Sequence, residues 1–404
     1  MNFLTDLAII SVFCLILGVA SKYLRQASIP AYILAGLVFG KSGLDLITAY
    51  EFVQWLGKIG LLLLLFYIGY EFNLKGMGER GRIFAGFTDF LVNFSLAFAF
   101  GWLIGLTLLE TFILAFVVYI SSSAIVITSL IENKRLIYPE AETIVWLMVF
   151  EDLVVAILLA VLVSATSAAS RLVILIPLDI AITVLFIVLI SVFVRNQSRL
   201  LTSLFDRDDE IPILLVFALL FGFSTLAYWL SSLVHVEVSE LIIAFFLGSA
   251  LSGVRTFKKL LGDLVTLKNF FLTIFFFSFG IMIPVTFTAL PPLDFILICL
   301  ALIALSLLGK FISGALIGKK LHDSFETGLR IGAYTTPRGE FSVILLAIAL
   351  ERDLGISDLV VSLIVGYVII LPIIGALLAK NGDWIGKAVS SSIKKVQNGA
   401  QKPR

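Results

Sequence analysis

Glu151 and Asp152 stand side by side in the stretch "WLMVFEDLVVAIL", Trp146 to Leu158, which is otherwise apolar. A charge at the centre of a bilayer costs on the order of 2.5 to 3.5 kcal/mol on insertion scales, so two such acids need partners, water or an ion. Adjacent residues on a helix point about 100 degrees apart, so the pair need not share one ligand. Reversible binding of a proton or a hard cation is the chemistry these carboxylates offer. The alternative is a buried salt bridge that does no more than lock helices together.

Lys310, in "SLLGKFISG", is the counter-charge at comparable depth. A buried lysine beside a carboxylate keeps its proton, whereas one that loses that partner to an incoming cation tends to release it. Cation binding would then drive protons off, and returning protons would expel the cation. A lysine that neutralises one acid permanently is the alternative. Two interrupted apolar runs supply further oxygen: "YISSSAIVI", Tyr119 to Ile127, and "YTTPRGEF", Tyr334 to Phe341. Their Ser, Thr, Pro and Gly loosen a helix, and non-helical backbone at membrane depth is tolerated where protein or a watery cavity covers it. The hydroxyls of Ser121, Ser122, Ser123 and Thr128, with carbonyls freed by unwinding, would suit an alkali cation. Where two broken helices cross, helix ends of opposite partial charge meet. Thr336, Arg338 and Glu340 belong to that crossing, and the arginine and glutamate would neutralise it.

These residues need a membrane-spanning frame. Sixty per cent of the 404 residues are hydrophobic and 14% are charged, against about one quarter charged in soluble domains. The chain therefore reads as an all-α polytopic membrane protein. Thirteen apolar runs approach the roughly 20 residues that a crossing needs: 3–21, 29–48, 54–73, 83–108, 111–131, 142–165, 172–194, 211–233, 238–254, 269–288, 293–317, 325–350 and 357–379. The first lacks a basic leader and reads as a retained helix. Lys and Arg fall almost wholly in alternate loops, which puts the N-terminus outside and the C-terminus, with a basic tail over 381–404, in the cytoplasm. The interrupted runs are the fifth and the twelfth, so they cross with opposite polarity. That is the pattern of inverted repeats, here about 1–165 and 211–380 with 172–194 as linker, forming a transmembrane domain over 1–380.

Other features exclude functions. A net charge of +1 leaves no basic face for nucleic acid, and Cys14 and Cys299 both lie in apolar runs, so neither a disulfide framework nor a thiolate metal site is expected. No nucleotide fingerprint or phosphate loop is present, which argues against a primary pump, and no cofactor is expected. Glu71, Glu110, Glu240 and Asp294 lie near helix ends, His235 and His322 in loops. Asp89 sits two turns into the fourth run with no partner assignable.

Taken together, "IPAYILAGLVFGKSGL" (29–44), "IGLLLLLFYIGYEF" (59–72), "SSSAIVITSL" (121–130), "FEDLVV" (150–155), "FFFSFGIMI" (275–283) and "PRGEFSVIL" (337–345) resemble the monovalent cation:proton antiporter-2 family. The match follows the family's order over nearly the whole chain. That family includes the Kef-type potassium efflux proteins and the bacterial sodium/proton antiporters. The resemblance implies the sodium/proton antiporter fold and a homodimer. It also implies a core of the fourth to sixth and eleventh to thirteenth helices that slides as an elevator. It makes Asp152 the ion-binding aspartate, and the hydroxyls of Ser122 and Ser123 read from the first break would join it at an alkali-cation site. Glu151 takes the position where electrogenic sodium antiporters carry a second aspartate and Kef-type proteins a glutamine, and Lys310 is the lysine that pairs there. Kef-type members continue into a cytosolic nucleotide-binding domain. Here "SSSIKKVQNGAQKPR" closes the chain as a tail expected to lie along anionic membrane lipid.

The expected function is exchange of Na⁺ or K⁺ for H⁺ across the plasma membrane by alternating access. A gated, channel-like potassium efflux pathway is the second reading, and coupling to protons discriminates the two. An organic-anion symporter is disfavoured by the excess of midplane acids. An intramembrane enzyme is disfavoured because neighbouring acids on one helix do not form a facing dyad. Na⁺ and K⁺ both take hard oxygen ligands, so the sequence leaves that choice open.

Overall fold

A computed structural model describes residues 3–24, 26, 28–40, 43–71, 80–168, 176–234, 240–283, 291–351, 354–382, 384 and 386. The positions expected to carry Arg25, Lys41, Lys75, Arg171, His235 and Arg352 in loops, and nearly all of the basic tail, lie outside the described residues. Among those described are sixteen α-helices and no strand. They are α1 (Phe3–Tyr23), α2 (Ile29–Phe39), α3 (Tyr50–Glu71), α4 (Arg80–Leu103), α5 (Leu108–Tyr119), α6 (Ser123–Glu132), α7 (Pro139–Ala168) and α8 (Ile176–Asn196). There follow α9 (Ser198–Phe205), α10 (Ile211–Val234), α11 (Glu240–Leu251), α12 (Leu261–Met282), α13 (Pro292–Leu321), α14 (Phe325–Tyr334), α15 (Glu340–Glu351) and α16 (Asp358–Lys380). Among the described residues, seven helical spans are long and apolar enough to cross a membrane, or eight if the bent pair α8 and α9 counts as one; α2, α5 and α11 are shorter apolar helices.

Two expected boundaries move for physical reasons. α12 starts at Leu261 rather than near 269, so Lys268 is helical and not in a loop. Its ammonium stands 4.2 Å over the Tyr67 ring, an arrangement that lets the apolar stem lie along the helix while the charge keeps a partner. The segment after α8, expected as loop, turns by 70° into α9. Leu201 and Phe205, four residues apart, are buried there while Arg199 and Thr202 face outward, and that spacing is an amphipathic helix in miniature.

The chain forms two compact units. One comprises Met1–Cys14, Ala35–Leu74 and Asp152–Met282. Its centre is the close approach of α3 to α11: a β-carbon on Gly69 would overlap the Phe245 carbonyl, and one on Gly248 the Phe66 carbonyl. Close helix packing by small residues is a general solution in membranes, where lipid is as apolar as the helices.

The other unit comprises Leu15–Leu34, Lys75–Glu151 and Ile283–Arg404, so the division within α7 falls between Glu151 and Asp152. Charged groups fasten this second unit at its helix ends. Glu140, at the start of α7, holds Arg135 at 3.6 Å and Arg330 at 3.2 Å. Glu110 is 4% exposed and caps two helices at once. Its Oε2 accepts from the Thr107 N–H (3.0 Å) and hydroxyl (2.8 Å), and its Oε1 from the N–H of Ser357, the N-cap of α16, at 2.8 Å. Glu110→Ala leaves both N–H groups without this acceptor and is expected to cost about 1–3 kcal/mol. A thermal melt of the purified protein should fall by several degrees, and an unchanged melting temperature would refute the double cap.

Candidate functional site

Both interruptions are breaks between helices within the second unit. α5 ends at Tyr119, Ile120 and Ser122 are extended, and α6 begins at Ser123. α14 ends at Tyr334 and α15 begins at Glu340. The second break follows from chemistry: Pro337 lacks an N–H, and a residue before proline is pushed away from the helical region, so the helix stops ahead of Thr336. The hydroxyls of Thr335 and Thr336 turn back onto the carbonyls of Ile331 (3.0 Å) and Gly332 (2.9 Å), which caps the end of α14. The breaks touch through the Ser122 N–H, which donates to the Pro337 carbonyl at 2.8 Å. The Ser121 hydroxyl reaches the Thr335 carbonyl at 2.7 Å.

Arg338 and Glu340 divide the helix ends at this contact. Arg338 is 0% exposed. It donates to the carbonyls of Val118 (3.0 Å), Thr335 (2.9 Å) and Thr336 (2.7 Å), at the C-terminal ends of α5 and α14, and to the hydroxyl oxygens of Tyr367, Ser121 and Ser306. All six acceptors are carbonyl or hydroxyl oxygens. A cation against the negative ends of two helices is the favourable sign of the dipole interaction. Glu340 occupies the first turn of α15 and accepts from the hydroxyl of Ser122, the N-cap of α6, at 2.9 Å, so an anion stands at the positive ends.

Beside the crossing lies a buried chain of charge. Lys310, on α13, donates to Glu151 at 2.8 Å and to Asp89, on α4, at 2.7 Å. Glu151 also accepts from the Ser121 hydroxyl at 3.0 Å and from the Ser121 N–H. Asp89 accepts in addition from the Ser313 hydroxyl (2.7 Å) and the Asn93 amide (2.9 Å). The Tyr119 ring stands 5.4 Å from the lysine ammonium. Alternating hydrogen-bonded charges of this kind satisfy each member, and removing one leaves its neighbour buried without a partner.

The structure thus brings together Glu151, Lys310, Ser121, Ser122, Thr336, Arg338 and Glu340. Ser123 is half-buried as the first residue of α6. Asp152, next to the buried Glu151, is partly exposed. Thr128 departs from expectation: it is exposed on α6, five residues and about 7.5 Å of rise beyond Ser123. A run of hydroxyls tells nothing of which side of the helix each one takes. Asp89, Asn93, Ser306, Ser313 and Tyr367 were not expected at the site. A signal existed for most of them: Asp89 and Asn93 are four residues apart on α4, and Ser306, Lys310 and Ser313 follow at four and three on α13, each set one helical face. His322, expected in a loop, caps α13 and has its Nε2 2.9 Å from the Thr143 hydroxyl.

The sodium/hydrogen exchanger transmembrane family matches residues 8–380. The K(+)/H(+) antiporter subunit KhtU of Bacillus subtilis is 32% identical over 397 residues, covering 94% of this chain and 93% of that protein. The ammonium/H(+) antiporter subunit AmhT of Alkalihalophilus pseudofirmus is 29% identical over 392 residues, covering 94% of each. The structure of the sodium proton antiporter MjNhaP1 from Methanocaldococcus jannaschii superposes with a TM-score of 0.66 at 18% identity, over 96% of this chain and 99% of that one, which establishes a shared fold.

Proposed function

The chain belongs to the sodium/hydrogen exchanger family of multi-pass membrane transporters, and from that premise we propose that it exchanges a monovalent cation, K⁺ or Na⁺, for H⁺. The observation that carries the reading is the unequal pair on α7. Glu151 is 1% exposed and fixed by Lys310 and Ser121, whereas Asp152, one residue on, is partly exposed. One acid is buried at the crossing and the other keeps part of its surface exposed. In this reading Asp152 carries the exchanged cation, with Ser122 and Ser123 supplying hydroxyl oxygen, and proton and cation compete for the same carboxylates. Arg338 and Glu340 keep the two breaks joined while that load changes.

The finer architecture belongs to the same proposal. Thirteen membrane segments form inverted repeats over about 1–165 and 211–380, joined by a linker near 172–194. The chain works as a homodimer in the plasma membrane with the C-terminus and its basic tail on the cytoplasmic side, and a core slides as an elevator. The crossing of two breaks supports the repeats, and the fold shared with an archaeal antiporter supports the transport cycle. A channel-like potassium pathway is less supported, since the relatives above are antiporters. Those relatives also make K⁺ and NH₄⁺ cations to test ahead of Na⁺.

The test is a side-by-side assay of the purified chain in proteoliposomes with an internal pH dye. Adding K⁺, Na⁺, Li⁺ or NH₄⁺ outside acid-loaded vesicles, with and without an imposed voltage, should alkalinise the lumen for at least one cation. Cation uptake with no proton movement would refute antiport, and the voltage arm gives the charge moved per cycle.

A further inference from the structure

We propose that α9 and the 3₁₀ helix Arg255–Leu260 form a docking surface for the phosphate of an anionic phospholipid headgroup, with Arg255 and Lys258 at its centre and Arg199 at its edge. This surface lies wholly within the first unit, and it requires a membrane-spanning chain but not the antiport reading above. Three residues per turn give a 3₁₀ helix three faces. Phe257 and Leu260 make the first and are buried, with Phe257 against the rings of Phe66 (5.8 Å), Tyr70 (4.9 Å) and Phe205 (5.0 Å). Thr256 and Lys259 make the second and turn to α9. The Thr256 hydroxyl donates to the Thr202 carbonyl at 3.1 Å, and the Lys259 ammonium meets Asp206 at 2.6 Å. Arg255 and Lys258 are left for the third. Both are exposed, about 6 Å apart along the axis at the 3₁₀ rise of about 2.0 Å per residue. Neither they nor Arg195 and Arg199 meet a carboxylate among the described residues.

Depth in the membrane selects a lipid over a soluble anion or an acidic protein. On α8 the exposed apolar side chains run through Leu189, Val192 and Phe193 and stop there; Arg195 follows, and Arg199 opens α9. On α12 the order is reversed, with Lys268 ahead of the exposed Phe270. Both helices thus pass from charge to outward apolar surface beside this patch, which is the pattern of the headgroup level. α9 has the make-up of a helix lying in that plane. Leu201 and Phe205 are buried, while Leu200 is 56% exposed next to Arg199, where an acyl chain would cover it. The acids of the region stand at the other end. Asp206 is held by Lys259 and Asp209 by Arg207, Asp208 and Glu210 follow α9, and Asp263 opens α12. The unpaired bases are therefore free for a phosphate.

The test is native mass spectrometry of the full purified chain, with phosphatidylglycerol or phosphatidylcholine added in neutral detergent. Wild type should retain phosphatidylglycerol in preference. Arg255→Gln combined with Lys258→Gln should weaken that retention by about tenfold or more, at about fivefold for each base near an anionic headgroup. Lys319→Gln combined with Lys320→Gln is the control, since it removes two exposed bases, and the same net charge, from the end of α13. The bases of the tail are common to all variants and cancel in the comparison. Unchanged retention in the Arg255 and Lys258 variant would overturn the assignment and leave these bases to an acidic protein surface. An equal loss in the control would overturn it in favour of diffuse attraction. If the double variant does not accumulate, Arg199→Gln decides in its place: a loss of several-fold supports the surface, and none overturns it. A rise in the wild-type melting temperature with inorganic phosphate as large as that with phosphatidylglycerol would overturn the lipid as the occupant.

Discussion

Proteoliposomes carrying Asp152→Asn are expected to show no cation-driven proton movement above protein-free vesicles, a loss on the order of 100-fold or more. Asparagine keeps the shape and volume of the side chain, but it neither titrates nor neutralises a bound cation. A charge kept near membrane depth is tied to interactions of roughly 2.5 to 3.5 kcal/mol, and about 2.7 kcal/mol corresponds to 100-fold. Because Asp152 is partly exposed, the substitution should leave the melting temperature and elution profile close to wild type. Coupled exchange at the wild-type rate would move the ion site away from Asp152. Glu151→Gln makes the informative contrast: it strips Lys310 of one of two carboxylates and replaces the carboxyl that Ser121 donates to, so it should disturb folding and activity together.

The second large effect is structural. Arg338→Met should lower the unfolding free energy by about 3–5 kcal/mol, as loss of a fully buried, multiply bonded charge does. The carbonyls of Val118, Thr335 and Thr336 lose their donor, and an unmet buried acceptor costs about 1–3 kcal/mol. Arg338→Lys retains the charge but has a single ammonium to serve acceptors that the planar guanidinium reaches from three nitrogens, so an intermediate loss is expected. Melting followed by tryptophan fluorescence or by elution of the intact species should rank wild type, Lys and Met in that order. A Met variant as stable as wild type would show that the crossing is held by other means.

Much of this site was legible because cost is visible in sequence. Glu151, Asp152, Lys310 and Arg338 stand out in apolar surroundings, and Pro337 with its neighbours marks a break wherever the run sits. What the sequence withheld was pairing. Asp89 meets Lys310 across 221 positions of chain, and neither local propensity nor spacing carries that distance. The serines beside Lys310 are readable by helical spacing, since Ser306 and Ser313 lie one turn to either side of it on α13. Thr128, grouped with Ser121 to Ser123 by its hydroxyl, is exposed on α6. Lys268 falls just outside the expected run of 269–288 yet lies within α12, since a long apolar stem lets a lysine sit within a helix.

The acceptors of Arg338 bear on how such a protein could be altered. Its hydrogen bonds end on carbonyl and hydroxyl oxygens, none of them a carboxylate. On the proposed reading, selection for a different cation has separate targets: variation at Ser122, Ser123 and Asp152 is expected to retune the load while the arginine clamp stays in place. A library that randomises those three positions and leaves 335–340 untouched should yield many folded variants, whereas one that includes Arg338 should be depleted of them before any transport is measured.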